Sequence, residues 1–112
     1  MDDRLQTIYQ HDPSIVSRSI AGEMILVPIR KNVGDMENIY TLNETAARVW
    51  ELIDGKRSLA EVQQQMVNEF EVEPAQAKDD LLELLDSLLE EGALVKVQVQ
   101  VYRYPNGMSF TH

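Results

Sequence analysis

The sequence predicts one α+β domain of winged-helix-like architecture, spanning residues 1–112. Three observations support this prediction. Strand-like apolar runs occupy the N-terminal third, three stripes with helical spacing follow, and strict apolar alternation resumes near the C-terminus. An N-terminal three-stranded antiparallel sheet would then precede a helix–turn–helix, a third helix and an added C-terminal β-strand or hairpin.

Composition limits the classes of function. The chain has 112 residues, no cysteine and a net charge of −9. Without cysteine it cannot hold a disulfide, a thiol nucleophile or a cysteine-based metal site. The negative charge disfavours nucleic acid as a partner, since phosphate binding needs clustered Lys and Arg. We also expect no other metal site and no cofactor.

The hydropathy pattern predicts where in the cell the protein is found. No apolar run approaches the ~18 residues of a transmembrane helix. The polar, acidic start Met-Asp-Asp-Arg-Leu-Gln is unlike a signal peptide. We therefore expect a cytoplasmic protein with no membrane partner.

The first 29 residues predict a short starting segment and a hairpin. Leu5, Ile8 and Tyr9 are compatible with a helical turn or an added strand, and His11 is expected on the surface near the chain end. Two strands are predicted at 14–20 and 23–29, joined by Ala-Gly at 21–22. A loop is expected at 31–37, ahead of the third strand.

The third strand, Asn38–Leu42, runs directly into the first helix, where the apolar period changes from strand-like to helical. Either Thr41 or Asn43 can cap this helix, and Gly55 is expected to end it. The helix stripe comprises Ala46, Val49, Trp50 and Ile53. Such a tight junction fixes the angle between strand and helix, so a binding groove is expected beside it.

Two more helices follow. Ser58 and Glu61 have capping-box spacing, and Pro74 suits the first position of the third helix, predicted from Pro74 to about Glu91. The second helix is expected to bury Leu59, Val62, Met66, Val67 and Phe70. The leucines of the third helix cover an arc of about 160°. Leu81, Leu84, Leu85 and Leu88 suffice for the core, leaving Leu82 and Leu89 on a flank that meets either the rest of the domain or a second surface.

The C-terminal alternation predicts a long strand from Leu94 to Tyr104, after a helix end at Gly92. So long a strand needs a partner, either the N-terminal sheet or the same strand of another copy in a homodimer. A turn is predicted at Pro-Asn-Gly, residues 105–107.

The chain resembles the PqqD family, named after protein D of pyrroloquinoline-quinone synthesis, over residues 14–95. The resemblance rests on Tyr-Thr-Leu-Asn-Glu-Thr-Ala-Ala-Arg-Val-Trp-Glu-Leu-Ile-Asp-Gly at 40–55. Ser-Leu-Ala-Glu-Val at 58–62 and a leucine-rich helix ending in Glu-Gly-Ala-Leu-Val at 91–95 extend it. The C-terminal β extension lies beyond the resemblance.

This resemblance implies a non-catalytic peptide chaperone. Family members recognise the leader of a ribosomally made precursor peptide and present it to a modifying enzyme, often a radical S-adenosylmethionine enzyme. The leader adds as a strand to the third strand, in a groove bounded by the third helix. Carried onto this chain, the binding residues are Asn38, Ile39, Tyr40, Thr41 and Leu42 on the edge, with Lys78, Asp79, Leu82, Leu85, Asp86 and Leu89 on the helix.

Two other functions compete with this interpretation. A self-associating scaffold without a leader ligand is the main alternative, based on the Leu94–Tyr104 strand. A winged-helix DNA-binding protein is disfavoured, because its third helix would bring seven acids and only Lys78 to the phosphates. No catalytic residues are expected, since the chain lacks a phosphate loop and a metal-spaced His/Cys cluster.

Overall fold

The chain forms two small antiparallel sheets and three helices. The computed structural model describes residues 3–29 and 39–97. The elements are a 3₁₀ turn at Asp3–Gln6, β1 Tyr9–His11, β2 Ile15–Ile20, β3 Glu23–Pro28, β4 Tyr40–Leu42, α1 Glu44–Leu52, α2 Leu59–Phe70, α3 Pro74–Glu90 and β5 Leu94–Lys96. This confirms the predicted α+β class, with its three-stranded antiparallel sheet, three helices and C-terminal strand.

The three-stranded sheet has the order β2-β3-β4. Ile20 pairs with Glu23, so Ala21 and Gly22 alone form the hairpin loop. Both have positive φ, 52° and 84°, as the favoured two-residue hairpin turn requires. β4 then pairs with β3 through Met24↔Leu42, Ile25↔Thr41 and Leu26↔Tyr40.

The third strand runs into the first helix without a linker, as predicted. Asn43 is the N-cap of α1, and its side-chain oxygen accepts a hydrogen bond from the Ala46 amide at 2.8 Å. The alternative cap at Thr41 is therefore wrong, because that residue is still in β4. Gly55 has φ +80°, but α1 already ends at Leu52. The glycine belongs to the following turn, where its amide donates to the Tyr9 carbonyl.

Helices α2 and α3 begin as predicted. Ser58 and Glu61 form a complete capping box, and Pro74 occupies the first turn of α3. The buried stripe of α2 is shorter than expected, since Phe70 at its C-terminal end remains 38% exposed.

The end of α3 is a Schellman motif. The amide of Gly92 donates to Leu89, and that of Ala93 donates to Leu88. Gly92 has φ +73°, a conformation that favours glycine. This turn sends the chain straight into β5.

The C-terminal strand pairs with β1, so the N-terminal segment contains both structures that the sequence left open: a helical turn and a strand. Tyr9 pairs with Lys96 and His11 with Leu94. These strands form a sheet of their own rather than joining β2-β3-β4. The predicted strand to Tyr104 is described only as far as Lys96. Its remainder, the predicted turn at 105–107 and the predicted loop at 31–37 lie outside the described residues.

One hydrophobic core lies between the helices and both sheets. Its largest fully buried side chains are Trp50 and Tyr9, together with Leu59, Leu85, Leu88 and Val62. No helix within the described ranges is long and apolar enough to cross a membrane.

His11 belongs to this packing and is not the surface histidine that the sequence suggested. Its ring is partly buried against Trp50, and its Nε2 lies 2.8 Å from the Trp50 carbonyl oxygen. The prediction failed because it rested on nearness to the chain end, whereas β1 carries His11 into the fold.

Candidate functional site

The outer edge of β4 is an open strand edge. Within residues 3–29 and 39–97, β4 pairs with β3 on one side and with no strand on the other. An unpaired edge offers backbone N–H and C=O groups to an incoming strand. The strand predicted at Asn38–Leu42 is observed as Tyr40–Leu42; Ile39 precedes it and is 55% exposed, and Asn38 falls in the undescribed stretch.

Side chains alternate along this edge. Leu42 is buried in the core, and Tyr40 is half-buried and packs against it. Thr41 between them is exposed on the opposite face. An added strand would therefore present alternate residues towards the helices and towards solvent.

A groove separates Tyr40 and the start of α1 from α3. It has a volume of about 360 Å³. One side is formed by Tyr40, Asn43, Thr45 and Ala46, and the other by Asp80, Glu83, Leu84 and Ser87. Asp80, Leu84 and Ser87 are spaced by four and three residues, so they share one face of α3. This groove adjoins the strand-to-helix junction, where the sequence predicted a binding site.

A smaller apolar pocket between the three helices adjoins the groove. This pocket has a volume of about 200 Å³ and shares Thr45, Asp80 and Leu84 with the groove. Its other lining residues are Val49, Met66, Phe70, Val72, Ala77 and Leu81. The exposed Phe70, which the sequence assigned to the core, thus lines this pocket.

The helix residues predicted to bind a peptide lie elsewhere on α3. Leu85 is 1% exposed and part of the core, and Leu82 and Leu89 pack against that core from the side. Leu82 is about 160° around the helix from Leu84. The structure therefore does not bring these leucines to the groove beside β4.

The charged members of the predicted set also lie outside the groove lining. The Asp86 carboxylate pairs with the Arg4 guanidinium of the 3₁₀ turn, which places that flank of α3 against the N-terminal segment. Lys78 is half-buried and Asp79 is exposed. Sequence spacing reveals which residues share a face of α3. It does not reveal which flank faces β4, because that depends on how the sheet docks.

A second, more polar cavity of about 810 Å³ lies on the other side of α1, against the β2–β3 turn. Arg48 lines it and donates to Glu69 at 2.7 and 2.8 Å and to Glu51 at 3.2 Å. The hydrogen bond from Arg48, with a second from Gln65, lowers the pKa of Glu69 to about 2. The same two carboxylates raise the pKa of Arg48. Arg48 is already bonded to α2, which indicates a structural bridge between helices.

No group of His, Cys, Asp or Glu side chains within the described ranges is arranged to hold a metal ion.

Two curated relatives match part of this chain. Both are named PqqA binding protein, from Xanthomonas euvesicatoria pv. vesicatoria (strain 85-10) and Xanthomonas axonopodis pv. citri (strain 306). Each is 36% identical over 58 residues, which is 52% of this chain. The match spans 63% of the relatives' own length.

Two solved structures share the fold. A lasso peptide synthetase B1 complexed with the leader peptide aligns with a TM-score of 0.66 and 29% identity, covering 78% of this chain and 96% of that one. TbiB1 in complex with the TbiA(beta) leader peptide aligns with a TM-score of 0.64 and 20% identity, covering 76% and 93%.

The family assignment comes from a model of a whole protein family. The model described as coenzyme PQQ synthesis protein D (PqqD) matches residues 23–94, from the start of β3 to the start of β5. The match includes the open edge of β4, α3 and the groove between them. Because it covers more than half of the sequence, the chain belongs to the PqqD family.

Proposed function

We propose that this protein binds the leader of a ribosomally made precursor peptide by β-strand addition and presents it to a modifying enzyme. The observation that carries the proposal is the open edge of β4 beside the groove bounded by α3. Membership of the PqqD family supports it, as do relatives named for PqqA binding and neighbours solved with leader peptides.

The leader would lie in the groove as a strand antiparallel to β4. Backbone groups along Ile39–Leu42 would supply main-chain hydrogen bonds, which are largely independent of the ligand's sequence. Specificity would come from the ligand side chains that point into the groove and into the adjoining apolar pocket. That pocket has the size of one large aliphatic or aromatic side chain and presents Met66, Phe70 and Leu81 to it.

We therefore place the helix contacts at Asp80, Glu83, Leu84 and Ser87. Of the predicted residues, Leu82, Leu85, Asp86 and Leu89 would instead hold α3 in place through the core and through Arg4. Lys78 and Asp79 lie outside the groove lining. Asn38 stays part of the proposed edge as the residue before Ile39.

The protein itself would carry out no chemistry. We propose a single cytoplasmic domain over residues 1–112 that delivers its peptide to a separate enzyme, such as a radical S-adenosylmethionine enzyme. The resemblance described above motivates this choice of partner. A homodimer through Leu94–Tyr104 is the competing arrangement, although β1 already occupies one edge of β5.

The test is an amide chemical-shift titration of the ¹⁵N-labelled protein. The ligands are synthetic leaders of the precursor peptides encoded beside its gene. Binding should shift the amides of Ile39–Leu42 and of Asp80–Ser87, while those of β2 stay in place. Light scattering on the same samples reports dimerisation. The absence of shifts with every leader, together with a stable dimer, would refute the chaperone function in favour of the scaffold.

A further inference from the structure

Two carboxylates line the groove beside β4. Main-chain hydrogen bonds hardly distinguish one peptide sequence from another, but charged side chains in the groove can do so. Asp80 and Glu83 are exposed on the α3 side, and among the described residues the groove lining contains no Lys, Arg or His. Asp80 accepts a hydrogen bond from Gln76 at 2.9 Å, and neither carboxylate has an ion pair with a described residue. Four other described acids, Glu51, Asp54, Glu69 and Asp86, do pair with arginines.

Asp80 occupies a particular position among the lining residues. It borders both the groove and the apolar pocket, so a ligand side chain leaving the pocket passes its carboxylate. Glu83 lies three residues further along α3 and lines the groove but not the pocket. The rise between the two residues is about 4.5 Å.

The spacing of same-side residues in a strand is about 2 Å longer than this rise, a difference that a flexible Lys or Arg side chain can span. Alternate residues of a strand point to the same side and are about 6.6 Å apart. If the peptide strand runs along α3 with one apolar side chain in the pocket, the side chain two positions away would lie beside Asp80 and Glu83. A cation there would meet two carboxylates that have no ion pair with a described residue, and an acid would be repelled.

From this geometry we infer that Asp80 and Glu83 select peptides with a Lys or Arg two residues from an apolar anchor. The inference rests on the proposed function and specifies its substrate class: an extended peptide with the pattern apolar-x-basic. The net charge of −9 adds a long-range attraction for basic peptides, but these two carboxylates set where the cation binds.

The test is a selection from a random 12-residue peptide library displayed on phage. The full chain, the double variant Asp80→Asn with Glu83→Gln, and the control Asp3→Asn with Glu90→Gln are compared. The control loses the same two charges at exposed positions outside the groove. Selected peptides are synthesised, and those that shift the amides of Ile39–Leu42 are retained.

Retained peptides should contain the apolar-x-basic pattern when the full chain or the control is used. Replacing their basic residue by Gln should weaken binding by about three- to tenfold, as expected for one cation near two exposed carboxylates. The same replacement should have little effect on binding to the double variant. The difference should also shrink in high salt, where exposed charges are screened.

The possible outcomes distinguish the preference for basic peptides from the proposed leader-binding function. Peptides that bind along β4 without a basic preference, or with the same preference for the double variant, would overturn the selectivity and leave the chaperone function standing. If no library peptide shifts β4 and the neighbouring leaders also fail, both proposals are overturned.

Discussion

The imidazole of His11 lies flat on the indole of Trp50. Their ring centroids are 3.7 Å apart, and the ring planes are inclined by only 6°. The Trp50 carbonyl oxygen, 2.8 Å away, accepts a hydrogen bond from His11 Nε2. This pair joins β1 to α1, and so anchors the N-terminal segment to the helix that follows the open edge of β4.

Replacing His11 should therefore lower the stability of the domain. His11→Ala loses an aromatic stack and a hydrogen bond, and we expect the free energy of unfolding to fall by about 1–2 kcal/mol. His11→Phe keeps the stack and should lose less. Urea denaturation followed by Trp50 fluorescence measures both. The exposed Gln6→Ala variant is the control, and a midpoint for His11→Ala equal to that of the control would contradict this role.

The N-cap of α1 gives a second prediction. The Asn43 side chain holds the Ala46 amide, whereas Thr41 faces outward from β4. Asn43→Ala should lower the free energy of unfolding by about 1 kcal/mol. Thr41→Ala should cost less than about 0.5 kcal/mol, as is usual for surface changes. A larger loss for Thr41→Ala in thermal or urea unfolding would show that the cap is assigned to the wrong residue.

The bridge between α1 and α2 predicts a pH dependence of stability. Arg48 holds the pKa of Glu69 at about 2, below its usual value of 4.5. A carboxyl with a lowered folded-state pKa stabilises the protein above its unfolded pKa, and the contribution is lost as pH falls through the folded value. The stability gap between the wild type and Glu69→Gln should therefore close between about pH 4.5 and about pH 2.

Urea denaturation at a series of pH values and low salt measures this gap. Glu90→Gln serves as the control, because Glu90 is exposed on α3 and has no ion pair with a described residue. A gap for Glu69→Gln that stays constant across this pH range would rule out the predicted contribution.

Two leucines on opposite flanks of α3 test where the proposed peptide site lies. Leu84 lines the groove beside β4, and Leu82 packs against the core on the other flank. Leu84→Ala should weaken binding of a leader that titrates β4 by roughly tenfold, through lost apolar contact. Leu82→Ala should change the Kd by less than about twofold.

Both leucines are half-buried, so thermal unfolding must first show that each variant is folded at the assay temperature. Isothermal titration calorimetry then measures the Kd of each. If Leu82→Ala weakens binding more than Leu84→Ala does, the peptide binds on the flank of Leu82 and Leu89, as the sequence indicated.

Features set by local chemistry were predictable from the sequence. The capping box at Ser58 and Glu61, Pro74 at the start of α3 and the turn at Ala21-Gly22 each depend on residues a few positions apart. Gly55 shows the limit of such reasoning. Its positive φ was anticipated, but its position is set by Gln10 and Tyr9, which approach from a distant part of the chain.

The site was predictable only in part. The edge at Tyr40–Leu42 follows from a strand that meets a helix without a linker. The α3 side of the groove does not follow from the sequence, because the leucines of α3 cover more than one face of the helix. The choice between Leu84 and Leu82 depends on the docking of β4 and the 3₁₀ turn, and no pattern within α3 encodes it.

The pairing of β1 with β5 also sets an order of assembly. Tyr9 and Lys96 come from opposite ends of the described chain, so their pairing closes a very long loop, whereas β2 and β3 need only a two-residue turn. Loop-closure entropy grows with length, and contacts distant in sequence slow folding. The hairpin should therefore form early and the terminal sheet late. During synthesis, the terminal sheet can form only after Lys96 has left the ribosome.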